Sequence, residues 1–362
     1  MRFKNKVLIV FIFTIVTLVF VHNDYFMYKR SILKIDKINE KIENSETSKE
    51  KYIVQNIYGT IKNGKYKGKK VKVLNHTTTS GVYDEQIHKH SELFVEVKTG
   101  NTAIGITGVK RDKYIALLFV IFIDSILLVA GKKGLKTLIS LGINILISFA
   151  AIFLFQKHAR TWNMLLLYLV VSALFVTISL FITNGKSRKT VASILSSISS
   201  FVASFLLAFI IIKLYKKPLP YWTLEYIEAV HDYENFFYVT ILLSGLGAIM
   251  DISITISSSL NELIEKDPAI KLKNLVKSGK EICKDIIGTM NNVMLFTCYT
   301  SVIPMTFLLM KNNIILGDAI RRYGQVELIV ILTSCISIVL AIPISLFIST
   351  IVLHPSKKRR NS

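Results

Sequence analysis

Cysteine is scarce in this sequence: the chain has 3 in 362 residues, and the first of them is Cys283. A disulfide-stabilised fold needs several closely spaced cysteines, so this class of protein is excluded. No Cys-x-x-Cys pattern occurs, which also excludes the common zinc and thiol-redox motifs. We therefore interpret Cys283, Cys298 and Cys335 as small apolar packing residues.

Motifs of the common enzyme classes are also missing. The chain contains no Gly-x-Ser-x-Gly, no His-Glu-x-x-His and no Gly-x-Gly-Asp run, and it has no phosphate-binding loop. The spacing of His88 and His90 is one that metal ligands can have, but no third ligand is evident, so a solvated loop is the preferred interpretation. We expect no enzymatic activity, no metal and no cofactor.

Acidic residues are outnumbered, since 24 Asp and Glu stand against 45 Lys and Arg, giving a net charge of +21. At the same time 51% of the residues are hydrophobic, and the mean hydropathy is +0.48. A membrane protein combines these two properties, because apolar residues form the spans and cations collect in the loops. No aromatic and basic recognition motif accompanies the charge. The lipid bilayer is therefore the expected partner, and nucleic acid is not.

Eight apolar runs, most of them about 20 residues long, predict eight transmembrane helices. The first run could be a signal peptide, but no small-x-small cleavage site follows it, so an uncleaved anchor is favoured. The predicted spans cover residues 6–22, 114–131, 135–154, 164–183, 190–213, 237–258, 286–310 and 327–352.

The distribution of Lys and Arg near the span ends indicates the orientation. These residues concentrate in the segments that face the cytoplasm when the N-terminus lies inside, and the tail Lys357–Arg360 is the clearest cluster. An even number of spans then places both termini in the cytoplasm. The expected domains are an anchor over 1–22, an extracytoplasmic domain over 23–113, a seven-helix membrane domain over 114–352 and a basic cytoplasmic tail over 353–362.

The extracytoplasmic domain is too polar to span a membrane and too long to be a simple loop. Its charged first part, residues 28–50, predicts a linker helix with apolar residues at Ile32, Leu33, Ile35 and Ile38. From Tyr52 onward, β-branched residues and period-two alternation predict strands, as in 69–74, where Lys alternates with Val. We expect a small β-rich domain resembling an OB-type barrel, placed between the first and second transmembrane helices.

Asp251, within the sixth predicted span, is the most informative polar residue. An ionised Asp at the bilayer centre costs roughly 2.5–3.5 kcal/mol on insertion scales, so we expect it to face a partner or a wet cavity. On a helix, Asp251 shares one face with Thr255 and Glu262. The preceding Gly245 and Gly247 allow either close helix packing or a break in the helix.

A second polar stripe follows in the seventh span. On a helix, Asp285, Gly288, Thr289 and Asn292 share one face, and Asn291 lies beside it. Polar side chains at this depth need partners that lipid cannot supply. We therefore predict that the sixth and seventh spans are neighbours and that their polar stripes face each other around an ion or proton site.

Three further features carry less information. Asp124 interrupts the second span, and both a structural hydrogen bond and a role in a pathway stay open for it. Gly288, Pro304 and Pro343 are candidate positions for close helix packing or a helix break in the last two spans. The fifth span carries a face of small hydroxyl residues that we interpret as a helix-packing surface, namely Ser193, Ser196, Ser197, Ser200 and Ser204.

Three motifs resemble those of a known family. They cover Gly245–Glu262, Gly279–Asn292 with the later Pro304, and Ser334–Pro343. On these motifs the chain resembles the YibE/F family of bacterial multi-pass membrane proteins, and the likeness extends from about Tyr52 onward. The chain departs from the family pattern at Val293, where threonine is expected. The resemblance implies a multi-pass architecture in the bacterial cytoplasmic membrane and suggests a permease-like role.

Two hypotheses about function come from different classes. The first is a secondary transporter or permease for an unknown small solute or ion, with intramembrane carboxylates and amides forming the pathway. The second is a non-transporting scaffold or sensor that assembles with a second copy or a related membrane subunit and whose outer domain binds a ligand or partner. A third, an intramembrane hydrolase with paired aspartates, lacks its sequence motif.

Overall fold

The computed structural model describes residues 3–44, 51–78, 84–97, 103–158, 162–214, 233–311 and 313–354. The chain divides into two compact units, Met1–Leu135 and Lys136–Ser362. The first unit contains a sheet between two helices, and the second is helical. The membrane helical class is therefore correct, and the predicted β-rich segment is present.

The first unit begins with helix α1 (Phe3–His22) and a short 3-10 turn at Asp24–Met27. Its sheet has the order β3-β2-β1-β4-β5, and all paired neighbours are antiparallel. The edge strands β3 and β5 also contact each other, so the sheet curves into a half-barrel. The strands are β1 (Ser31–Asn44), β2 (Lys51–Ile61), β3 (Lys70–Thr78), β4 (Glu92–Val97) and β5 (Ala103–Lys110).

The predicted linker helix over residues 28–50 is wrong, because most of this segment is β1. The spacing of Ile32, Ile35 and Ile38 imitates a helical period. A β-bulge between Ile35 and Lys37 inserts one extra residue, so that Ile35 and Ile38 point to the same face despite their odd spacing. Ile38 then lies opposite Ile57, which is fully buried.

In the other strands, apolar and polar residues alternate, and the apolar ones form the inner face of the sheet. In β3 the valines of the predicted Lys-Val repeat, Val71 and Val73, are buried, and the lysines between them are exposed. Gly59 in β2 has no side chain for a steric reason, since a Cβ there would collide with the carbonyl oxygen of Lys34 in β1. The core of the sheet consists of Leu33, Ile35, Ile57, Ile61, Val71, Val73, Ile87, Leu93 and Val95.

Helix α2 runs from Asp112 to His158 and has 47 residues. At 1.5 Å per residue its two parts together have a length of about 70 Å, roughly twice the hydrocarbon thickness of a bilayer. Gly131 interrupts it with φ 54° and ψ −123°, a conformation open to glycine because it has no Cβ. The second and third predicted spans therefore occupy one helical element, on either side of Gly131.

Six helices in the described residues are long and apolar enough to cross a membrane. Ile12–His22 is a shorter apolar helical segment, so the count of eight spans is not established by these criteria. The six candidates are Asp112–His158, Met164–Asn184, Arg188–Leu214, Glu234–Lys266, Leu272–Lys311 and Glu327–Leu353.

The second unit is built around α6 and α9. Helix α6 contributes its apolar and serine face to the core, and α4, α7 and α9 all contact it. A π-helical turn at Ile320–Gly324 precedes α9. The helices are α3 (Met164–Asn184), α4 (Arg188–Leu214), α5 (Tyr233–Ser244), α6 (Leu246–Lys266), α7 (Leu272–Lys311), α8 (Leu316–Ala319) and α9 (Gln325–Leu353).

Candidate functional site

The interface of α4, α6 and α9 is lined by buried serine side chains, which we call the hydroxyl row. These residues are small, so the three helix backbones approach closely, as is usual for helices packed in a membrane. The row consists of Ser193, Ser196, Ser197, Ser200 and Ser204 on α4, Ser253 and Ser257 on α6, and Ser334, Ser337, Ser345 and Ser349 on α9.

Hydrogen bonds connect part of the row. The Oγ atoms of Ser257 and Ser349 are 2.7 Å apart, and Ser349 Oγ is 3.5 Å from Ser196 Oγ. Ser253 Oγ lies 3.0 Å from Ser345 Oγ. In both pairs the α9 serine lies 92 positions after its α6 partner, so these two helices run parallel and keep the same register.

Among the described residues, other hydroxyls of the row have no hydrogen-bond partner. The Oγ atoms of Ser197, Ser200 and Ser204 on α4 are buried and unpaired. Ser204 borders a narrow cavity that it shares with Thr333 and Ser337. The cavity admits a body about the size of one water molecule. An unpaired buried hydroxyl costs free energy, so this is where a water or a small ligand gains most from binding.

A break in the sixth predicted span lies at the same cavity. Helix α5 ends at Ser244 and α6 begins at Leu246, and Gly245 lies between them. A Cβ at Gly245 would be 3.2 Å from the Cβ of Ser337, so any other residue there would require α9 to move away by a few tenths of an ångström. Discontinuous helices that meet at a cavity are a recurring feature of transporter binding sites.

The structure places the Asp251 stripe on the opposite side of α6. Asp251, Thr255 and Glu262 are exposed on the surface of the single chain, as is Gly247. The register of α6 and α9 brings Asp251 level with Pro343, close to the middle of α9. Asp251 therefore lies within a candidate span, on a face that the rest of the chain leaves open, and in the described part of the chain it makes no hydrogen bond or ion pair.

The second stripe is also on the outside of the single chain. Asp285, Gly288, Thr289 and Asn292 are exposed on α7, and half-buried Asn291 keeps a buried Oδ1 without a partner. Helices α6 and α7 are neighbours, as the sequence predicts, but they contact through the apolar residues Leu260, Leu275, Cys283 and Ile286. Within the described residues the two stripes therefore form no common buried site.

The predicted packing glycines and bends differ in their surroundings. A Cβ at Gly247 or at Gly288 would meet nothing within 4 Å, so neither glycine is required by a close contact within the chain. Pro304 lies inside α7 and Pro343 inside α9, and both prolines are exposed.

Asp124 in the first unit has a clear structural contact. Thr14 Oγ1 in α1 donates a hydrogen bond of 2.6 Å to Asp124 Oδ2 in α2. The other carboxylate oxygen, Oδ1, is buried and has no partner in the part of the chain that the structure describes. The carboxylate thus links α1 to α2 and keeps one oxygen available for a further ligand.

A cluster of charged residues, which the sequence reasoning missed, joins the sheet to α1 and α2. Lys110 Nζ, at the end of β5, lies 2.7 Å from both Asp24 Oδ1 and Asp112 Oδ2, and its side chain is 1% exposed. Lys113 Nζ is 2.8 Å from Glu92 Oε1. We call the cluster the collar; its members are Asp24, Tyr25, Tyr28, Glu92, Lys110, Asp112 and Lys113.

Two tyrosines complete the collar. Tyr25 donates to Glu92 Oε1 over 2.6 Å, and Tyr28 donates to Asp112 Oδ2 over 2.7 Å. Lys110 Nζ also lies 5.3 Å from the centroids of both rings, a cation–π distance. The only sequence signal for this cluster is the position of its members, all of which except Glu92 flank the junctions between the sheet and the apolar helices.

Burial controls the protonation of the collar. Burial, reinforced by neighbouring Asp112, raises the pKa of Asp24 in spite of its bond to Lys110. For Glu92, burial acts in the same direction, but hydrogen bonds from Lys113 and Tyr25 outweigh it and lower the pKa. Burial would lower the pKa of Lys110, yet its two carboxylate partners raise it. The charged form is therefore favoured at Glu92 and Lys110 and disfavoured at Asp24.

The apolar helices and the buried hydroxyl row define a multi-pass membrane protein. The family model described as YibE/F-like protein matches residues 118–355, and the model of the YibE/F family N-terminal domain matches residues 26–109. The chain belongs to the YibE/F family. No curated protein and no solved structure matched the chain.

Proposed function

We propose that this protein is a secondary transporter or permease for a small ion or solute, and that the path follows the hydroxyl row between α4, α6 and α9. The observation that carries the proposal is the pair of buried hydroxyls at Ser200 and Ser204 that have no partner among the described residues, of which Ser204 lines the cavity at Gly245. A fully packed structural interface would satisfy these hydroxyls. The role requires no catalytic step and no cofactor.

The hydroxyl row has no charged side chain, and this limits what it can bind. Neither the hydroxyl row nor the lining of the cavity contains a charged side chain. Hydroxyl oxygens can replace part of the hydration shell of a water-sized cation or hydrogen-bond a small neutral solute, but they provide no countercharge. We therefore expect a weakly held, water-sized substrate at this point of the path.

Transport assays of serine variants in reconstituted vesicles test the proposal. The double variant Ser200→Ala with Ser204→Ala should lose transport across a panel of ions and small solutes, because it removes both unpaired oxygens. Thr190→Ala is the matched control, since Thr190 is equally buried on α4 but lies outside the row, and its Oγ1 is 2.8 Å from Ser187 Oγ. Equal transport by the wild type and the double variant would refute the path.

The proposed topology has eight crossings in the cytoplasmic membrane, with the sheet outside and both termini inside. It counts α1 and takes α2 twice, once on each side of Gly131, together with the five remaining candidate spans. Single cysteines introduced at Asn75 and at Ser362 of a cysteine-free chain should differ in labelling by an impermeant reagent on intact cells. Labelling of both from outside contradicts this topology.

A second candidate function, a non-transporting scaffold, is favoured by the exposed position of Asp251. A lipid-facing carboxylate at this depth costs roughly 2.5–3.5 kcal/mol. The face of α6 and α7 carries acceptors such as Asp251 and donors such as Asn292, so a second copy of the chain can satisfy it in a symmetric contact. A scaffold would use this face for assembly.

Two substitutions of Asp251 separate the candidates. Asp251→Asn keeps the shape and hydrogen bonding, and Asp251→Leu removes both. If Asp251 carries the ion or proton, Asp251→Asn abolishes transport in a chain that is still folded. If it serves assembly, Asp251→Asn keeps the oligomer and Asp251→Leu yields monomers, as measured by light scattering in detergent. Glu262→Gln, farther toward the end of α6, should have the milder effect in both assays.

A further inference from the structure

We propose that the collar is a pH-sensitive clamp between the sheet and helices α1 and α2, tight while one of its three carboxyl groups carries a proton and looser once that proton is lost. Its position suits this role. The chain passes from α1 to β1 through Asp24–Tyr28 and from β5 to α2 through Lys110–Asp112. Both covalent connections of the sheet to the helices therefore run through the collar.

The charge balance of the collar provides the switch. Three carboxyl groups, on Asp24, Glu92 and Asp112, face two ammonium groups, on Lys110 and Lys113. When every group is ionised, the collar has one negative charge in excess. One proton removes the excess, and a buried cluster is more stable when its charges balance.

Contacts indicate which carboxyl group takes the proton. Glu92 is held by Lys113 and by the Tyr25 hydroxyl, and Asp112 receives bonds from Lys110 and Tyr28. Asp24 has one short bond, from Lys110, and a longer contact of 3.4 Å with the Tyr28 hydroxyl. It also has a hydrogen bond with the Asp112 carboxyl group, which requires a proton on one of the two acids. Its raised pKa agrees with this difference, so the proton belongs to Asp24.

The surrounding ionisable groups leave this assignment intact. Burial raises the pKa of Tyr25 and of Tyr28, so both phenols stay protonated donors. Arg111 turns to the surface, where it pairs with exposed Glu85. The other charged groups next to the turn, His22, Lys29 and Arg30, are exposed to solvent.

The direction of the response follows from the pKa shifts. The raised pKa of Asp24 contributes stability that is complete below its ordinary value of 3.8 and is lost as the pH rises through the raised pKa. The lowered pKa of Glu92 contributes stability that is complete above its ordinary value of 4.5 and is lost as the pH falls through the lowered pKa. The clamp is therefore tightest in mild acid and loosens toward neutral pH.

Hydrogen exchange of the full chain in lipid nanodiscs tests the clamp. Peptides from β4, β5 and the first turn of α2 are compared between wild type and variant at each pH, so that the intrinsic exchange rate cancels. Asp24→Asn keeps an oxygen for Lys110 but fixes the balanced charge. We expect severalfold greater protection than in the wild type at neutral pH, and equal protection in mild acid.

Asp36→Asn is the matched control, because Asp36 is an exposed aspartate of the same sheet that accepts a bond from Thr60. It should behave as wild type at every pH. The proposal is overturned if Asp24→Asn exchanges as wild type does throughout. It is also overturned if Glu92→Gln, and not Asp24→Asn, gains protection at neutral pH. Should Asp24→Asn fail to fold, the collar peptides of wild type, each corrected for its intrinsic exchange rate, must differ from the core peptides of β2 in their pH response. An equal response overturns the clamp.

Discussion

The collar and the hydroxyl row bury polar groups by different means. The collar uses full charges and brings each of its ammonium groups against carboxylates, with Lys110 almost wholly enclosed. The hydroxyl row uses neutral groups and leaves several of them unpaired, as at Ser200. The cost of an unpaired group explains the difference, since an unpaired charge is far more expensive to bury than an unpaired hydroxyl. Buried charges are tolerated where groups of opposite charge surround them, and missing hydrogen-bond partners are tolerated where the buried groups are neutral.

The largest expected loss of unfolding free energy comes from a substitution at the centre of the collar. Lys110→Met removes the cation that bridges Asp24 and Asp112 and leaves their charges uncompensated. Breaking a buried ion pair in this way costs about 3–5 kcal/mol. Chemical unfolding of the full chain in detergent, monitored by a signal from the sheet, measures this loss of free energy. Lys67→Met is the control because Lys67 is exposed, and a similar small loss in both variants would show that the collar adds no stability.

The same Ile→Ala truncation at a buried position in each unit allows the unfolding free energies of the two units to be compared directly. Ile57 in the sheet and Ile252 in α6 are both fully buried. Ile57→Ala removes the free energy gained by transferring the side chain out of water and also leaves a cavity. Together these should lower the free energy of unfolding by about 2–5 kcal/mol. Ile252→Ala should cost less, because lipid is as apolar as the helix interior and only packing is lost. Unfolding free energies of both variants decide this, and an equal or greater loss at Ile252 would contradict the membrane location of α6.

The smallest effect is expected within the hydroxyl row. Ser257→Ala breaks the 2.7 Å contact with Ser349, and bonds of this kind between membrane helices average about 0.6 kcal/mol. Ser197→Ala removes an equally buried hydroxyl that has no partner, so it should leave stability unchanged or raise it. The same unfolding assay compares them. If Ser197→Ala is the more damaging change, the unpaired hydroxyls are bonded in the folded protein.

Particular residues show how far sequence reasoning reached. Val71 and Val73 alternate with lysines, and that period alone predicts a half-buried strand. The segment containing Ile35 and Ile38 was predicted as a helix, because a bulge shifts the register and no local pattern reveals a bulge. For Asp251 the helix and its polar face follow from spacing, whereas the side of the bundle on which that face lies does not.

The sequence by itself determined the membrane class, the positions of most apolar helices, the presence of a polar β-rich segment and the family. These properties depend on local hydropathy, period and motif, which are read along the chain. The tertiary structure decided the half-barrel, the outward position of Asp251, the meeting of three serine faces between α4, α6 and α9, and the collar. Each of these depends on contacts between distant segments, such as Asp24 with Lys110, and many arrangements satisfy the same local pattern until packing selects one.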